Sequence, residues 1–303
     1  MEFKKNSLKD LGEDQVIRQL TLSWKKSNKR MLHGIGHDCA VLNLSQSQGK
    51  LCLFKTDAVV EGIHFLERGK DGEPERVGWK ALARCVSDIA AMGGLPTAAL
   101  ITLGAPPITK LERVLNFYKG IEKCARCYGI DLVGGETTRA SQLFISVAML
   151  GEVKRNQLVL RSGAKPGDFI FVTGTLGGSQ KGKHLDFLPR LQEAQWLVKH
   201  VKPSAMMDIS DGLGKDLPRL CQMSDVNFEV KEEKLPITRG ATKKQAWSEG
   251  EDFELLFAMK PEVAKKLQQH WPFRTRLTLI GKITKKTSGK KKVQIYGGFD
   301  HFQ

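Results

Sequence analysis

Six short segments pair an acidic residue with glycine, serine or threonine at the ends of apolar runs: Gly34–Asp38 (GIGHD), Lys55–Asp57 (KTD), Ser87–Asp88, Gly134–Thr138 (GGETT), Asp208–Gly212 (DISDG) and Gly250–Asp252 (GED). Carboxylates at strand ends can converge in the folded chain, and a cluster of them repels itself unless cations intervene. Magnesium is the usual resolution, because it takes hard oxygen ligands and shares them with phosphates. Glycine beside an acid lets backbone N–H groups approach phosphate oxygens. Singly, each segment reads as an ordinary turn. Six in one chain point to phosphate chemistry held by divalent ions. The chain has no G-x-x-x-x-G-K-[ST] loop and no G-x-G-x-x-G fingerprint, which sets aside the two commonest nucleotide-binding folds.

The elements that must position these segments read as alternating helices and strands. Val77, Ala81, Cys85, Ile89 and Met92 line one side of a strong helix over 75–92, which Gly93-Gly94 and Pro96 end. Apolar periodicity predicts further helices over 13–24, 109–127, 188–200 and 261–270. Strands are expected over 40–44, 51–54, 98–103, 130–133, 144–150, 169–172, 253–259 and 277–280. This is a mixed α and β pattern, of the α+β class. A length of 303 residues exceeds a typical single domain, and the division is expected between a unit at 1–150 and a second at 151–303.

Lys and Arg outnumber Asp and Glu by 48 to 33, a net +15 that attracts polyanions such as nucleotides or nucleic acid. The densest basic run, residues 282–292, lies between the apolar segments 277–280 and 293–296 and contains Thr287, Ser288 and Gly289. It reads as an exposed hairpin tip, and no aromatics interleave the lysines to stack on bases, so a nucleic-acid role is disfavoured. The six cysteines read as reduced thiols, since Cys124 and Cys127 close a helix and have no second ligand pair for zinc. No apolar stretch approaches the ~20 residues that cross a bilayer, and the first residues carry no signal-peptide core. A cytoplasmic protein without membrane attachment is expected.

The order of segments resembles the thiamine-monophosphate kinase family, in the superfamily of aminoimidazole-ribonucleotide synthetase and selenophosphate synthetase. The matching stretches are GIGHDCAVL (34–42), TDAVVEGIHF (56–65), KALARCVSDIAAMGGLP (80–96), LVGGETTRA (132–140), LRSGAKPGDFIFVTGTLG (160–177), MDISDGLGKDL (207–217), GEDFELLF (250–257) and GGFDHF (297–302). The resemblance implies a two-domain fold and a homodimer built through the N-terminal sheets. It also implies Mg-ATP and thiamine monophosphate as substrates, with γ-phosphoryl transfer giving thiamine diphosphate. Carried over by motif, the magnesium ligands are Asp38, Thr56, Asp57, Asp88, Glu136, Asp208 and Asp211. Gly135, Glu136, Arg161 and Ser210 correspond to nucleotide contacts, and His64 and Glu251 to positions facing thiamine phosphate. Tyr296 or Phe299 matches an aromatic against the thiamine rings. No side-chain nucleophile is called for, because in-line positioning and cation stabilisation suffice for phosphoryl transfer.

This chain departs from the family pattern near its acids. His37 replaces an acid, Lys55 stands where Ser precedes Thr-Asp, and Arg84-Cys85 replace an apolar residue and Asn. Each change removes negative charge or adds positive charge, which weakens divalent binding. Lys55 and Arg84 either point into solvent or supply built-in cations. Two alternatives to the kinase follow: a degenerate member that binds nucleotide or RNA without efficient transfer, and a related ATP-dependent enzyme acting on another substrate. Selenophosphate synthetase is disfavoured, because no reactive Cys or adjacent Lys motif opens the chain.

Overall fold

The computed structural model describes residues 7–24, 28–44, 49–66, 73–286 and 297–302. Most of the basic run and Tyr296 therefore lie outside the described residues.

Two short helices, α1 (Leu8–Leu11) and α2 (Glu13–Thr21), precede a six-stranded sheet. Its strands are β1 (Met31–His33), β2 (Ala40–Leu42), β3 (Lys50–Val60), β4 (Leu95–Ala105), β5 (Asp131–Arg139) and β6 (Phe144–Lys154), in the order β1-β2-β3-β6-β4-β5. All neighbours are antiparallel except β4 and β5, which are joined by helix α4 (Leu111–Tyr128), as a parallel pair requires. Side chains alternate across each strand. Leu51, Leu53, Val59, Ile145, Val147 and Met149 are buried on the inner face, whereas Phe54, Leu100 and Leu150 are exposed on the outer one. Strand β5 forms an edge and is exposed at all nine residues.

Helix α3 (Pro74–Ala91) covers the inner face, and 13 of its residues are buried, so it behaves as a core element rather than a surface helix. It meets α4 backbone to backbone. A Cβ on Gly78 would lie 1.9 Å from the Phe117 carbonyl oxygen, and one on Gly120 would lie 1.8 Å from that of Glu75. Alanine at either position forces the helices apart and withdraws α3, with Arg84 and Asp88, from the strands.

The second sheet holds β7 (Phe169–Thr173), β8 (Ala205–Asp208), β9 (Asn227–Val230), β10 (Leu255–Met259) and β11 (Leu277–Thr284), in the order β8-β10-β7-β11-β9. Its neighbouring strands are all antiparallel. Helices α5 (Lys183–Asp186), α6 (Leu191–His200) and α9 (Pro261–His270) share one core with the first sheet, in which the rings of Phe171 and Phe257 stack 5.5 Å apart. The opposite face packs on α7 (Leu213–Met223) and α8 (Lys243–Ser248) through Val172, Met207, Leu217 and Trp247.

Seven elements escape the sequence reading, among them α1, β1 and α5 at three or four residues each. Strand β8 is four residues long, β9 is half-exposed, α8 spans only six residues, and α7 carries Gly214 and Pro218 inside it. Strand β6 also runs past residue 150, where the sequence places the start of the second unit. Residues 151–154 continue to pair with 50–53 of β3, so the strand ends at Lys154. Among the described residues no helix is long and apolar enough to cross a membrane. All six cysteines are free.

Candidate active site

Asp38, Asp88 and Asp208 offer carboxylate oxygens that all lie within 4.8 Å of one another, and all three residues are buried. They come from three places: the turn before β2, the last part of α3 and the C-terminal end of β8. Ser87 donates its hydroxyl to Asp208 Oδ2 at 2.6 Å, and Arg161 donates to Asp38 Oδ1 at 2.7 Å. Among the described residues, Asp38 Oδ2 and Asp208 Oδ1 are buried without a hydrogen-bond partner. An unpartnered buried carboxylate oxygen is costly, and a hard cation held by these acids would satisfy both oxygens. Burial, then Asp38, pushes the Asp208 carboxyl up to about 7, and burial with the surrounding acids pushes that of Asp88 well up despite a lysine beside it. Asp88 and Asp208 therefore resist ionisation until a cation neutralises them.

Fixed bases also pair with Asp88 and with the neighbouring Asp57. Lys55 Nζ lies 3.0 Å from Asp88 Oδ2, and Arg84 Nη2 lies 3.1 Å from Asp57 Oδ1. Arg84 also donates to the Ala58 carbonyl at 2.9 Å, so neither base points into solvent. Asp88 and Asp57, against the opposing effect of burial, hold the Lys55 ammonium well above its usual range. Arg84 and Lys55, again against burial, hold the Asp57 carboxyl low. The next pair along is Lys80 with Glu251, at 2.7 Å, and Lys80 also donates to the His64 carbonyl at 2.6 Å. Lys80 is fully buried, and burial lowers its ammonium to about 8 although Glu251 works against the shift.

Beyond that pair a cleft opens between the two sheets, lined by His64, Ser210, Asp211, Glu251, Phe299 and others. Glu251 sits in the left-handed region (φ 65°) that favours glycine, and its N–H donates to the Ser210 carbonyl at 2.6 Å. Such backbone is retained where a site demands it. Asp216, buried at the start of α7, accepts from the N–H groups of Ser210 and Asp211 at 3.0 and 2.9 Å and so fixes the DISDG turn. The Asp211 side chain is held by Arg219, with Lys215 at 3.6 Å. The terminal segment lies against this turn: Phe299 N–H donates to the Asp211 carbonyl, and His301 bridges the rings of Phe299 and His64 at 4.9 and 5.2 Å. Burial, then Arg84, Lys80 and His301, pushes the His64 imidazole down to about 3, so it is neutral and its Nδ1 accepts from Val60 N–H at 3.1 Å.

The fold thus brings together Asp38, Asp57, Asp88 and Asp208 with Arg161, and at the adjoining cleft His64, Ser210, Asp211, Glu251 and Phe299. It does not bring three of the expected residues there within one chain. Thr56 lies on the outer face of β3, opposite Lys55 and Asp57, and is exposed. Gly135 and Glu136 lie on the exposed edge strand. Glu136 stands in the row Glu136–Thr102–Ser146–Ala58, three strands and about 14 Å from β3. Tyr296 lies outside the described residues. His37 has its ring 5.4 Å from that of His33, and burial, then His33, holds it below its usual range, so the position carries no charge. Sequence reading missed Ser87's hydrogen bond, Lys80, Asp216, Arg219 and His301. Lys80 and Asp216 carried a signal, since charged residues inside apolar helix faces are rare without partners.

The profile of the AIR synthase related protein N-terminal domain matches residues 36–153, and that of its C-terminal domain matches residues 165–294. Thiamine-monophosphate kinase of Rhodopirellula baltica is 37% identical over 298 residues, which cover 91% of this chain and 92% of that one. The chain belongs to the thiamine-monophosphate kinase family. Thiamine-monophosphate kinase of Bacillus subtilis is 34% identical over 291 residues, 85% of this chain and 87% of that one. Among solved structures, AaThiL complexed with AMPPCP and TMP matches with a TM-score of 0.83 at 33% identity, covering 99% of this chain and all of that one. Thiamine monophosphate kinase from Aquifex aeolicus matches with a TM-score of 0.72 at 33% identity, over 92% of this chain and 96% of that one. Hydrogenase maturation protein HypE, 18% identical with a TM-score of 0.66, shares the fold.

Proposed function

We propose that the chain transfers the γ-phosphoryl group of Mg-ATP to thiamine monophosphate, giving thiamine diphosphate and ADP. The observation that carries this reading is the convergence of Asp38, Asp88 and Asp208, two with unpartnered buried oxygens, next to a cleft that ends in His64, Glu251 and Phe299. A family relative whose complex holds both AMPPCP and TMP supports it.

Asp38, Asp88 and Asp208 are the residues that would hold magnesium, with Asp211 and, across a dimer, Glu136 as further ligands. Bound there, magnesium neutralises phosphate oxygens and the charge that develops on them. The chain does the rest by placement. Arg161 and Ser210, with Gly135 and Glu136, contact nucleotide. Neutral His64, Glu251 and the Phe299 ring hold thiamine monophosphate so that its phosphate oxygen faces the γ-phosphorus in line with the departing ADP oxygen. Lys80 keeps Glu251 in place, and Asp216 fixes the turn that carries Ser210 and Asp211.

The protein acts as a homodimer through the first sheet, whose outer face presents Phe54, Leu100 and Leu150 and whose edge strand is bare. Such an assembly offers Gly135 and Glu136, remote from the acids within one chain, a route to the phosphates. Six free thiols fit a reducing cytoplasm. We also place the boundary between the two units just past Lys154, where β6 ends.

The test is incubation with Mg-ATP and thiamine monophosphate, followed by chromatography. Thiamine diphosphate and ADP form in equal amounts, and thiamine is a poor acceptor. A second reading, nucleotide binding without transfer, draws on the lysine and arginine that sit on two of the acids. It takes over if nucleotide binds but no thiamine diphosphate appears at any magnesium concentration.

A further inference from the structure

On strand β3, Lys55 and Asp57 are two residues apart and share one face, with a spacing of about 6.6 Å. On helix α3, Arg84 and Asp88 are four residues apart and share one face, with a spacing of about 6 Å. The two spacings match, and on each element the base precedes the acid, so elements running in opposite directions set each base on the other's acid. When α3 packs on β3, two crossed ion pairs therefore form at once: Lys55 with Asp88 at 3.0 Å, and Arg84 with Asp57 at 3.1 Å. Both bases are mostly shielded, with side chains 23% and 11% exposed. With Arg161 on Asp38 and Lys80 on Glu251, four fixed cations face five carboxylates, counting Asp208. Among the described residues, the buried carboxylate oxygens without a hydrogen-bond partner are Asp38 Oδ2 and Asp208 Oδ1, with Glu251 Oε1, which Lys80 neutralises at 2.7 Å.

We propose that Lys55 and Arg84 are resident cations of the phosphate-transfer pocket, which stand in for divalent ions on Asp57 and on the Asp88 oxygen that Lys55 covers, and restrict metal to the side where Asp38, Asp88 and Asp208 converge. The inference rests on the kinase reading for the purpose of the pocket, and not for the charge arrangement itself. The metal-free protein is then nearly neutral in this region and needs no divalent ion to fold. The pocket takes up one tight divalent ion before nucleotide arrives. Lys55 and Arg84 act as positioning residues: they hold the two acids, and through them the phosphate-facing end of α3.

The test counts metal without nucleotide or thiamine monophosphate, so it stands apart from the kinase assay. Full-length wild type, Lys55→Thr, Lys55→Arg and Arg84→Met are titrated with Mn2+, and free ion is read by electron paramagnetic resonance. Each is also melted in EDTA and in Mg2+. Wild type binds one tight Mn2+ per chain, folds in EDTA, and melts modestly higher in Mg2+. Removing a fixed charge a few ångström from the ion tightens Mn2+ roughly tenfold or more in Lys55→Thr, or adds a second site. That variant loses melting temperature in EDTA and regains it in Mg2+, whereas Lys55→Arg behaves as wild type. Equal Mn2+ affinity, stoichiometry and Mg2+ shift in Lys55→Thr and wild type overturn the proposal. Should Lys55→Thr fold in neither condition, Arg84→Met decides by the same readings.

Discussion

Replacing Asp208 by Asn stabilises the metal-free protein while abolishing its chemistry. Asp208 is 1% exposed and lies within 4.8 Å of two other carboxylates. Like charges at that separation repel by roughly 3 kcal/mol at an effective dielectric of 20. Burial, then Asp38, raises its carboxyl to about 7. A carboxyl raised by about 3 units in the folded state contributes stability that is present at low pH and lost as pH climbs from about 4 through about 7, some 4 kcal/mol in all. The amide of Asn carries no charge, can accept the Ser87 hydroxyl, and can donate to the unpartnered oxygen of Asp38. After allowing for a weaker bond to Ser87, Asp208→Asn gains about 2 kcal/mol at pH 8 in EDTA, or about 5 °C in melting temperature. The gain shrinks as pH falls toward 4. Mg2+ raises the melting temperature of wild type but not of the variant, and phosphoryl transfer falls at least ~100-fold in the variant. Calorimetry with and without EDTA at several pH values, with turnover measured in parallel, checks all of this. A variant that is less stable than wild type in EDTA, or that keeps the Mg2+ shift, refutes the charge-cluster reasoning.

Three further outcomes follow from the same geometry. Asp57→Asn and Arg84→Met each strand a buried charge and cost about 3 kcal/mol in urea unfolding, and the double variant costs at least ~1 kcal/mol less than their sum; strict additivity would mean the pair is not coupled. His64, held near 3 when folded, binds a proton at ~6.5 only when unfolded, so wild type loses stability as pH drops through that window. His64→Gln removes roughly 1 to 2 kcal/mol of that loss at pH 5, and equal acid slopes for the two proteins speak against a buried neutral imidazole. Asp300 accepts from Glu13 N–H at 3.0 Å and tethers the terminal segment that carries Phe299 and His301. Asp300→Ala raises the KM for thiamine monophosphate about fivefold, equivalent to about 1 kcal/mol, and leaves the KM for ATP nearly unchanged; equal rises in both place the segment away from the acceptor.

Much of this was legible in the residues. Helix α3 and the apolar strands announce themselves by period, and the acids beside glycine, serine or threonine mark the ends that converge. The residues also carry the signal for the crossed pairs, since K-x-D on a strand and R-x-x-x-D on a helix present alternating charge at one spacing. What stayed hidden depends on neighbours in space. Nothing in A-M-M-D signals strand β8, because four residues buried on both faces show no alternation. Pro218 and Gly214 argue against α7, yet packing on Trp247 and the sheet outweighs their propensity. Register alone separates Glu136 from Asp57, and a one-residue change in alternation decides that Thr56 faces away from its neighbours. The direction taken by Lys55 and Arg84 was open in sequence, and the packing of α3 on β3 closes it.

The most direct test of the central claim is to bind Mn2+ and AMPPCP to wild type and to Asp208→Asn, and to measure the Mn2+–31P coupling by electron–nuclear double resonance. The expected result is strong coupling to the terminal phosphates in wild type and its loss in the variant. Coupling that survives Asp208→Asn unchanged, or that is missing from wild type while both ligands are bound, contradicts a pocket in which these gathered carboxylates hold the metal against the triphosphate.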